Sequence, residues 1–186
     1  MLIAKVETHI GTLIAGSVEE GICMLEFSDR NSIDAEYNVL KNYFGQDITE
    51  GENDHIKNLR TQISEYFAGT RKLFDLPLIA PGTEFQKKVW NELLNIPYGA
   101  TRSYQQQADA LKSPLSIRAV ANANGMNRIA IIIPCHRVIG SNGSLTGYGG
   151  GLHRKKWLLD HERKHSGLPY EGSLFGGYLP NKKDAL

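Results

Sequence analysis

Residues 103–136 read SYQQQADALKSPLSIRAVANANGMNRIAIIIPCH, and this stretch decides the architecture of the second half of the chain. Ser103 can cap a short helix running to Leu111, Lys112-Ser113 makes a tight turn, and Pro114 suits the first position of a second helix from about Leu115 to Asn124, which Gly125 ends. Two short helices about a tight turn form a helix-turn-helix. The apolar run Ile129-Ala130-Ile131-Ile132-Ile133 then predicts a fully buried strand, stopped by Pro134 immediately before Cys135 and His136. A thiol at a strand end with His136 and Arg137 beside it is a candidate nucleophile, with an inert core cysteine as the competing reading. Adjacent side chains on an extended chain point to opposite sides, so His136 would reach the thiol through a bridging water.

Working upstream, Ala80-Pro81-Gly82 reads as a domain boundary. Thr83 caps the next helix, whose stripe is Phe85, Val89, Trp90, Leu93 and Leu94 and which Pro97 and Gly99 stop. Before the boundary, apolar and polar positions alternate over residues 2–10, 13–18 and 22–27, the pattern of an antiparallel meander. Ser32 can cap a helix to Phe44, and residues 54–67 carry Ile56, Leu59, Ile63, Tyr66 and Phe67 on one helical face before Gly69. The expected fold is an α/β N-terminal domain over residues 1–81, a three-stranded antiparallel meander plus helices. A mainly α C-terminal domain with the helix-turn-helix follows over 82–166, and then an extended or disordered tail over 167–186.

Downstream of Cys135, a glycine-rich loop leads to a last helix over about 154–164. Glu162 falls four residues after Leu158 and so shares the core-facing side, where an unpaired carboxylate is costly. Accepting a hydrogen bond from His136 would satisfy it and fix the ring tautomer; partial exposure at the helix flank is the alternative. The string His161-Glu162-Arg163-Lys164-His165 also matches the H-E-x-x-H pattern of zinc peptidases, but two surface histidines beside a buried glutamate explain it equally well. The Gly147-Tyr148-Gly149-Gly150-Gly151 loop lacks the lysine that ends a phosphate-binding P-loop.

The bulk numbers narrow the class. With 186 residues, 41% hydrophobic and 22% charged, the chain reads as globular, and the two cysteines, Cys23 and Cys135, are too few for a disulfide framework. No apolar stretch is long enough to span a membrane and the N-terminus lacks a signal-peptide pattern, which predicts a cytoplasmic protein. Charge is divided unevenly. Residues 1–81 hold 7 Lys/Arg against 13 Asp/Glu, a net −6, whereas residues 82–166 hold 12 against 5, a net +7, which points to polyanion binding by the second half.

The string Ile131-Ile132-Ile133-Pro134-Cys135-His136-Arg137-Val138-Ile139 closely resembles the active-site motif of O6-alkylguanine-DNA alkyltransferases. The resemblance runs from about Gly82 to Glu162. It takes in Gly82-Thr83, Phe85-Gln86, Val89-Trp90, Ser103-Tyr104-Gln105-Gln106, Arg118-Ala119-Val120, Asn127 and Trp157-Leu158-Leu159 with His161-Glu162. It implies a protein that moves an alkyl group from O6 of guanine in DNA onto Cys135 and is consumed, with no cofactor or metal, leaving O4 of thymine open as a second substrate.

Carried over position by position, the resemblance makes Cys135 the nucleophile, His136 its water-linked base, Glu162 the residue that orients His136, Tyr104 the group serving the leaving guanine, and Asn127 the brace of the active-site turn. Arg118 would fill the space left by the flipped nucleotide in the minor groove. Val138, Tyr148, Gly149 and Lys155 join it as substrate- or DNA-binding positions. Gly149 and Ala130 stand where some relatives carry Ser and Pro, and the N-terminal half has no cysteine cluster of the kind that supports a transcriptional role. Rival readings are a lesion-binding module on the same scaffold, which would lack the cysteine, and a Cys-His-Glu hydrolase. A monomer is expected, since one flipped base needs one pocket.

Overall fold

The computed structural model describes residues 1–114 and 116–168, which divide into two units. One comprises Met1–Thr83 together with a later segment, Arg128–Ile132; the other comprises Glu84–Asn127 and the described chain from Ile133 onward. Beyond Leu168, the tail expected to be extended or disordered lies outside the described residues.

In the first unit, β1 (Leu2–Val6), β2 (Leu13–Val18) and β3 (Gly21–Phe27) form the antiparallel meander. A short β4 (Thr49–Glu50), which the sequence pattern did not foretell, adds parallel to β1 and gives the order β3-β2-β1-β4. The first strand ends earlier than its alternation suggests. The Thr8 hydroxyl donates to the Gly11 carbonyl at 2.6 Å and accepts from the Ile10 amide, closing a turn where residues 7–10 would have continued the strand.

Helices α1 (Ile33–Phe44) and α2 (Asp54–Phe67) pack on this sheet, α1 placing Leu40 against Ile14 and Met24 and α2 burying Ile56, Leu59, Ile63 and Tyr66. The Asn53 side chain caps α2 by accepting from the Ile56 amide and takes a second bond from Ser17 in β2. Ser32, expected as the cap of α1, makes no side-chain capping bond.

The free edge of β3 is covered from two places in the chain. Ile22 exchanges backbone bonds with Pro77 and Ile79, and Leu25 accepts from Ala130 and donates to Arg128, at 2.7 and 2.8 Å. This corrects the strand expected over residues 129–133. All five residues are buried, as a continuous apolar run requires, but only the first two pair with β3. The Ile132 amide bonds back to the Ala130 carbonyl across Ile131, whose φ is +71°, and this is the positive-φ γ-turn that a β-branched residue adopts only under strain. An apolar run specifies burial; it does not specify an extended backbone.

The second unit contains α3 (Glu84–Leu93), α4 (Tyr104–Ala110), α5 (Ile117–Gly125) and α6 (Leu152–His165), with a two-residue parallel pair of β5 (Arg102–Ser103) and β6 (Val138–Ile139). Ser103 and Gln106 make a reciprocal capping box at the start of α4. Helix α5 begins at Ile117, so Pro114 belongs to the turn and not to the first helical position. Trp90 donates its indole N–H to the Ala123 carbonyl, tying α3 to α5. The buried amides of Gln107 and Asn124 exchange two hydrogen bonds, at 2.7 and 3.2 Å, fixing how α4 lies on α5.

That amide pair predicts a specific asymmetry. Gln107→Leu strands the Asn124 amide in a dry site and should cost about 1–3 kcal/mol in urea denaturation, whereas the double variant with Asn124→Leu should recover most of the loss.

Candidate active site

Pro134 shapes the approach to Cys135. Its fixed φ of −85° with ψ of 60° closes an inverse γ-turn, in which the Cys135 amide donates to the Ile133 carbonyl at 2.9 Å, and the chain then winds into a 3-10 turn over Cys135–Arg137. Successive side chains in such a turn are about 120° apart, not 180° as on a strand. Cys135, 9% exposed, receives a hydrogen bond from the Asn127 side-chain amide at 3.2 Å, and the same amide donates to the Ile133 carbonyl at 2.8 Å. Asn127 therefore fixes both the sulfur and the backbone just before it.

His136 and Glu162 are fully buried and in contact, Nε2 to Oε1 at 2.8 Å. The Arg137 guanidinium lies along the same carboxylate, with Nε to Oε2 at 2.8 Å and Nη2 to Oε1 at 2.9 Å, while its Nη1 donates to the Ile96 carbonyl. The backbone N–H of Gly99 adds a further bond to Oε2. Gly99 has a φ of +75°, and a Cβ there would sit 2.4 Å from Ser166, so glycine is the residue that lets this amide approach.

Burial by itself would push the Glu162 carboxyl up, but His136 and Arg137 outweigh it and hold the group well below the ordinary carboxylate range. Burial lowers His136 against the pull of Glu162, so the ring is neutral at pH 7. Its Nε2 proton then points at Glu162, leaving the lone pair on Nδ1, which is buried without a hydrogen-bond partner among the described residues.

Tyr104, at the first turn of α4, donates to the Thr146 and Gly147 carbonyls, each at 3.3 Å. Burial first, and then the charge of Cys135, raise its phenol, which stays protonated at neutral pH. Tyr148 packs edge-on to His136, with ring centroids 6.4 Å apart. Val138 is buried, Gly149 is exposed, and Arg118 is exposed in the first turn of α5.

Lys155, expected as a substrate- or DNA-binding position, is buried. The side chain has no exposed area, and its ammonium donates to the carbonyls of Val138 and Thr146, each at 2.5 Å, and of Gly147 at 3.2 Å. Burial brings its pKa down to about 8, with Cys135 opposing the shift. It braces the 138–147 loop from within and presents nothing to a phosphate.

Arg137 is the residue whose role the sequence reading missed, having counted it only as positive charge near the thiol. The signal was present, since a buried Glu162 facing an uncharged His136 still needs a cation. The H-E-x-x-H string resolves differently: His161 stacks on Trp157 at 4.7 Å, His165 bonds the His161 carbonyl, and Glu162 is committed to His136 and Arg137. Among the described residues no three His, Cys, Asp or Glu side chains gather as metal ligands. Cys23 is fully buried, and its thiol is pushed up to about 12 by burial, which makes it inert.

Two family models match the chain in tandem. Residues 1–80 match the 6-O-methylguanine DNA methyltransferase ribonuclease-like domain, and residues 84–164 match the DNA-binding domain of the same family. The constitutive methylated-DNA–protein-cysteine methyltransferase of Bacillus subtilis is 44% identical over 158 residues, 84% of this chain and 92% of its own. A Mycobacterium bovis protein of the same description is 54% identical over 114 residues, 61% of this chain and 68% of its own. Among solved structures, Mycobacterium tuberculosis OGT in complex with DNA superposes with a TM-score of 0.78 at 39% identity, covering 89% of this chain and 94% of that one. With both domains matched and the Bacillus subtilis relative similar over nearly its full length, the chain belongs to the O6-methylguanine DNA methyltransferase family.

Proposed function

We propose that this protein repairs DNA by direct reversal, taking a methyl or other alkyl group from O6 of guanine onto Cys135 in a single irreversible turnover. The observation that carries this reading is the hydrogen-bonded chain that leads to the turn of the sulfur: Arg137 and Gly99 fix Glu162, Glu162 fixes the His136 tautomer, and in the same turn as Cys135 the Nδ1 atom has no hydrogen-bond partner among the described residues. Nδ1 takes the thiol proton through one water. The thiolate then attacks the alkyl carbon, a C–S bond forms as the C–O6 bond breaks, and the electron pair leaves with the guanine. Tyr104, neutral and within the electrostatic reach of Cys135, supplies a hydrogen bond to the departing base. The thioether is inert, so nothing restores the thiol.

O6 of a paired guanine is closed to in-line attack, so the nucleotide has to leave the stack. Helix α5 carries Arg118 exposed in its first turn, suited to filling the vacated space from the minor groove, and the net +7 of residues 82–166 holds phosphates without regard to sequence. A monomer in the cytoplasm fits this role, and no described helix is long and apolar enough to cross a membrane.

Incubation with a duplex carrying one O6-methylguanine should add the mass of one methyl group per protein, read by intact mass spectrometry, and Cys135→Ser should gain nothing. A duplex bound without mass gain in the wild type would indicate a lesion-binding module, and multiple turnovers would indicate a hydrolase.

Glu162→Gln should slow the transfer on the order of 100-fold, since the base loses both its orientation and its basicity. It should also destabilise the fold by about 3–5 kcal/mol, because Arg137 is left buried without its partner. The pH dependence has a definite sign. The folded imidazole titrates below 6.5, so the wild-type rate constant should hold down to about pH 6.5 and fall only in more acid solution. Glu162 raises the pKa of His136, so removing it should move this acid limb to still lower pH while lowering the plateau, measured by single-turnover kinetics in buffers from pH 5 to 8.

A further inference from the structure

The segment Arg128–Ile132 folds with the N-terminal unit, although the residues on either side of it, Asn127 and Ile133, belong to the other. Those flanking residues are functional: Asn127 bonds the Cys135 sulfur and the Ile133 carbonyl, and Ile133 receives the Cys135 amide. Whatever fixes residues 128–132 therefore fixes both arms of the Cys135 turn through the covalent chain.

The backbone of this segment makes two bonds to Leu25, and Ile131 sits within it at a φ of +71°, a strained conformation for a β-branched residue. Such strain persists only where the surroundings over-determine it. The additional hold is Arg128. Its side chain is buried, with Nε 2.5 Å from Glu36 Oε2 on α1 and Nη1 donating to the Pro81 carbonyl at 2.7 Å. A second ion pair, buried Glu26 with half-buried Arg30, belongs to the same unit, and Glu26 and Glu36 repel each other. Glu36 thus needs a cation of its own, and Arg128 is the one that supplies it.

We propose that Arg128 is a positioning residue for alkyl transfer: clamped to Glu36 and Pro81, it holds the strained 129–133 approach so that Asn127 and Cys135, at its two ends, keep their amide–sulfur contact. The inference rests on Cys135 being the acceptor. The N-terminal unit, which lends no side chain to the chemistry described above, thereby acquires a part in the reaction. Arg128 touches no reacting atom, and its effect passes through Asn127 and the backbone.

The test compares Arg128→Gln, Glu36→Gln and Arg128→Lys in the full chain, by single-turnover methyl transfer from an O6-methylguanine duplex and by amide hydrogen exchange. Arg128→Gln and Glu36→Gln should each lower the limiting transfer rate about tenfold while leaving the half-saturating duplex concentration unchanged, because small misplacements of a reacting group act on the chemical step. The double Gln variant should be no slower than either single one. The Ile132 and Cys135 amides, whose bonds to Ala130 and Ile133 close the two γ-turns, should exchange about tenfold faster, with α5 amides unchanged. Arg128→Lys, which can still pair with Glu36, should recover most of both losses. A lower melting temperature with wild-type transfer rate and wild-type exchange at Ile132 and Cys135 would overturn the proposal, leaving Arg128 a purely structural residue. Should Arg128→Gln fail to fold, Glu36→Gln decides, since it removes one charge and keeps the shape. Absence of methyl on wild-type Cys135 would overturn the acceptor assignment instead, and with it the proposed role in transfer, whereas the exchange measurement would still report whether the clamp holds the turn.

Discussion

A carboxylate with no exposed surface has to be paired and hydrogen-bonded in full, and the catalytic unit is organised around that requirement at Glu162. Its two oxygens take four bonds, one from His136, two from Arg137 and one from the Gly99 backbone. Each of those donors comes from a different stretch of chain or a different kind of group, so satisfying one buried charge brings the Cys135–Arg137 turn, the loop after α3 and the last helix together. The charge of Arg137 does the neutralising. Burial, with the Arg137 charge adding to it, leaves His136 uncharged and able to accept a proton, which a simple imidazolium–carboxylate pair would not permit.

The backbone between Asn127 and Arg137 answers a geometric problem that a strand would leave unsolved. On a strand the sulfur and the imidazole would face opposite sides. Two γ-turns in succession, one forced at Ile131 and one natural to Pro134, bend the chain into a 3-10 turn whose side chains fan out by thirds of a circle. Glu162 can then hold His136 while Asn127 holds the sulfur.

The parts legible in the sequence were those where periodicity or a cap leaves one solution. The meander, α2 with its Gly69 stop, and α4 with Ser103 and Gln106 all follow from apolar spacing and capping chemistry. The motif around Cys135 and the placement of Glu162 four residues after Leu158 were enough to bring Cys135, His136 and Glu162 into one site. What stayed hidden depended on partners distant in sequence. The five apolar residues 129–133 announce burial, but nothing local shows that the pairing with β3 is centred on Ile129 and stops at Ala130. The two-residue strands β4, β5 and β6 are too short to carry a period, and the commitment of Arg137 to Glu162 spans 25 residues.

Lys155 shows how far a basic residue near a DNA-repair site can be from touching DNA. An ammonium has three protons and accepts nothing, so burying one requires three acceptors, and the loop supplies the carbonyls of Val138, Thr146 and Gly147. Tyr104 donates to two of the same carbonyls from the side of α4. The loop that carries Tyr148 is thus pinned by two donors from two helices. A carbonyl oxygen has two lone pairs, and the Val138 oxygen, oriented by Lys155 and not shared with Tyr104, is placed to accept from a base edge. The cost of burying this lysine is met by the loop it organises, and the positive charge that remains on the surface is free to hold the phosphates.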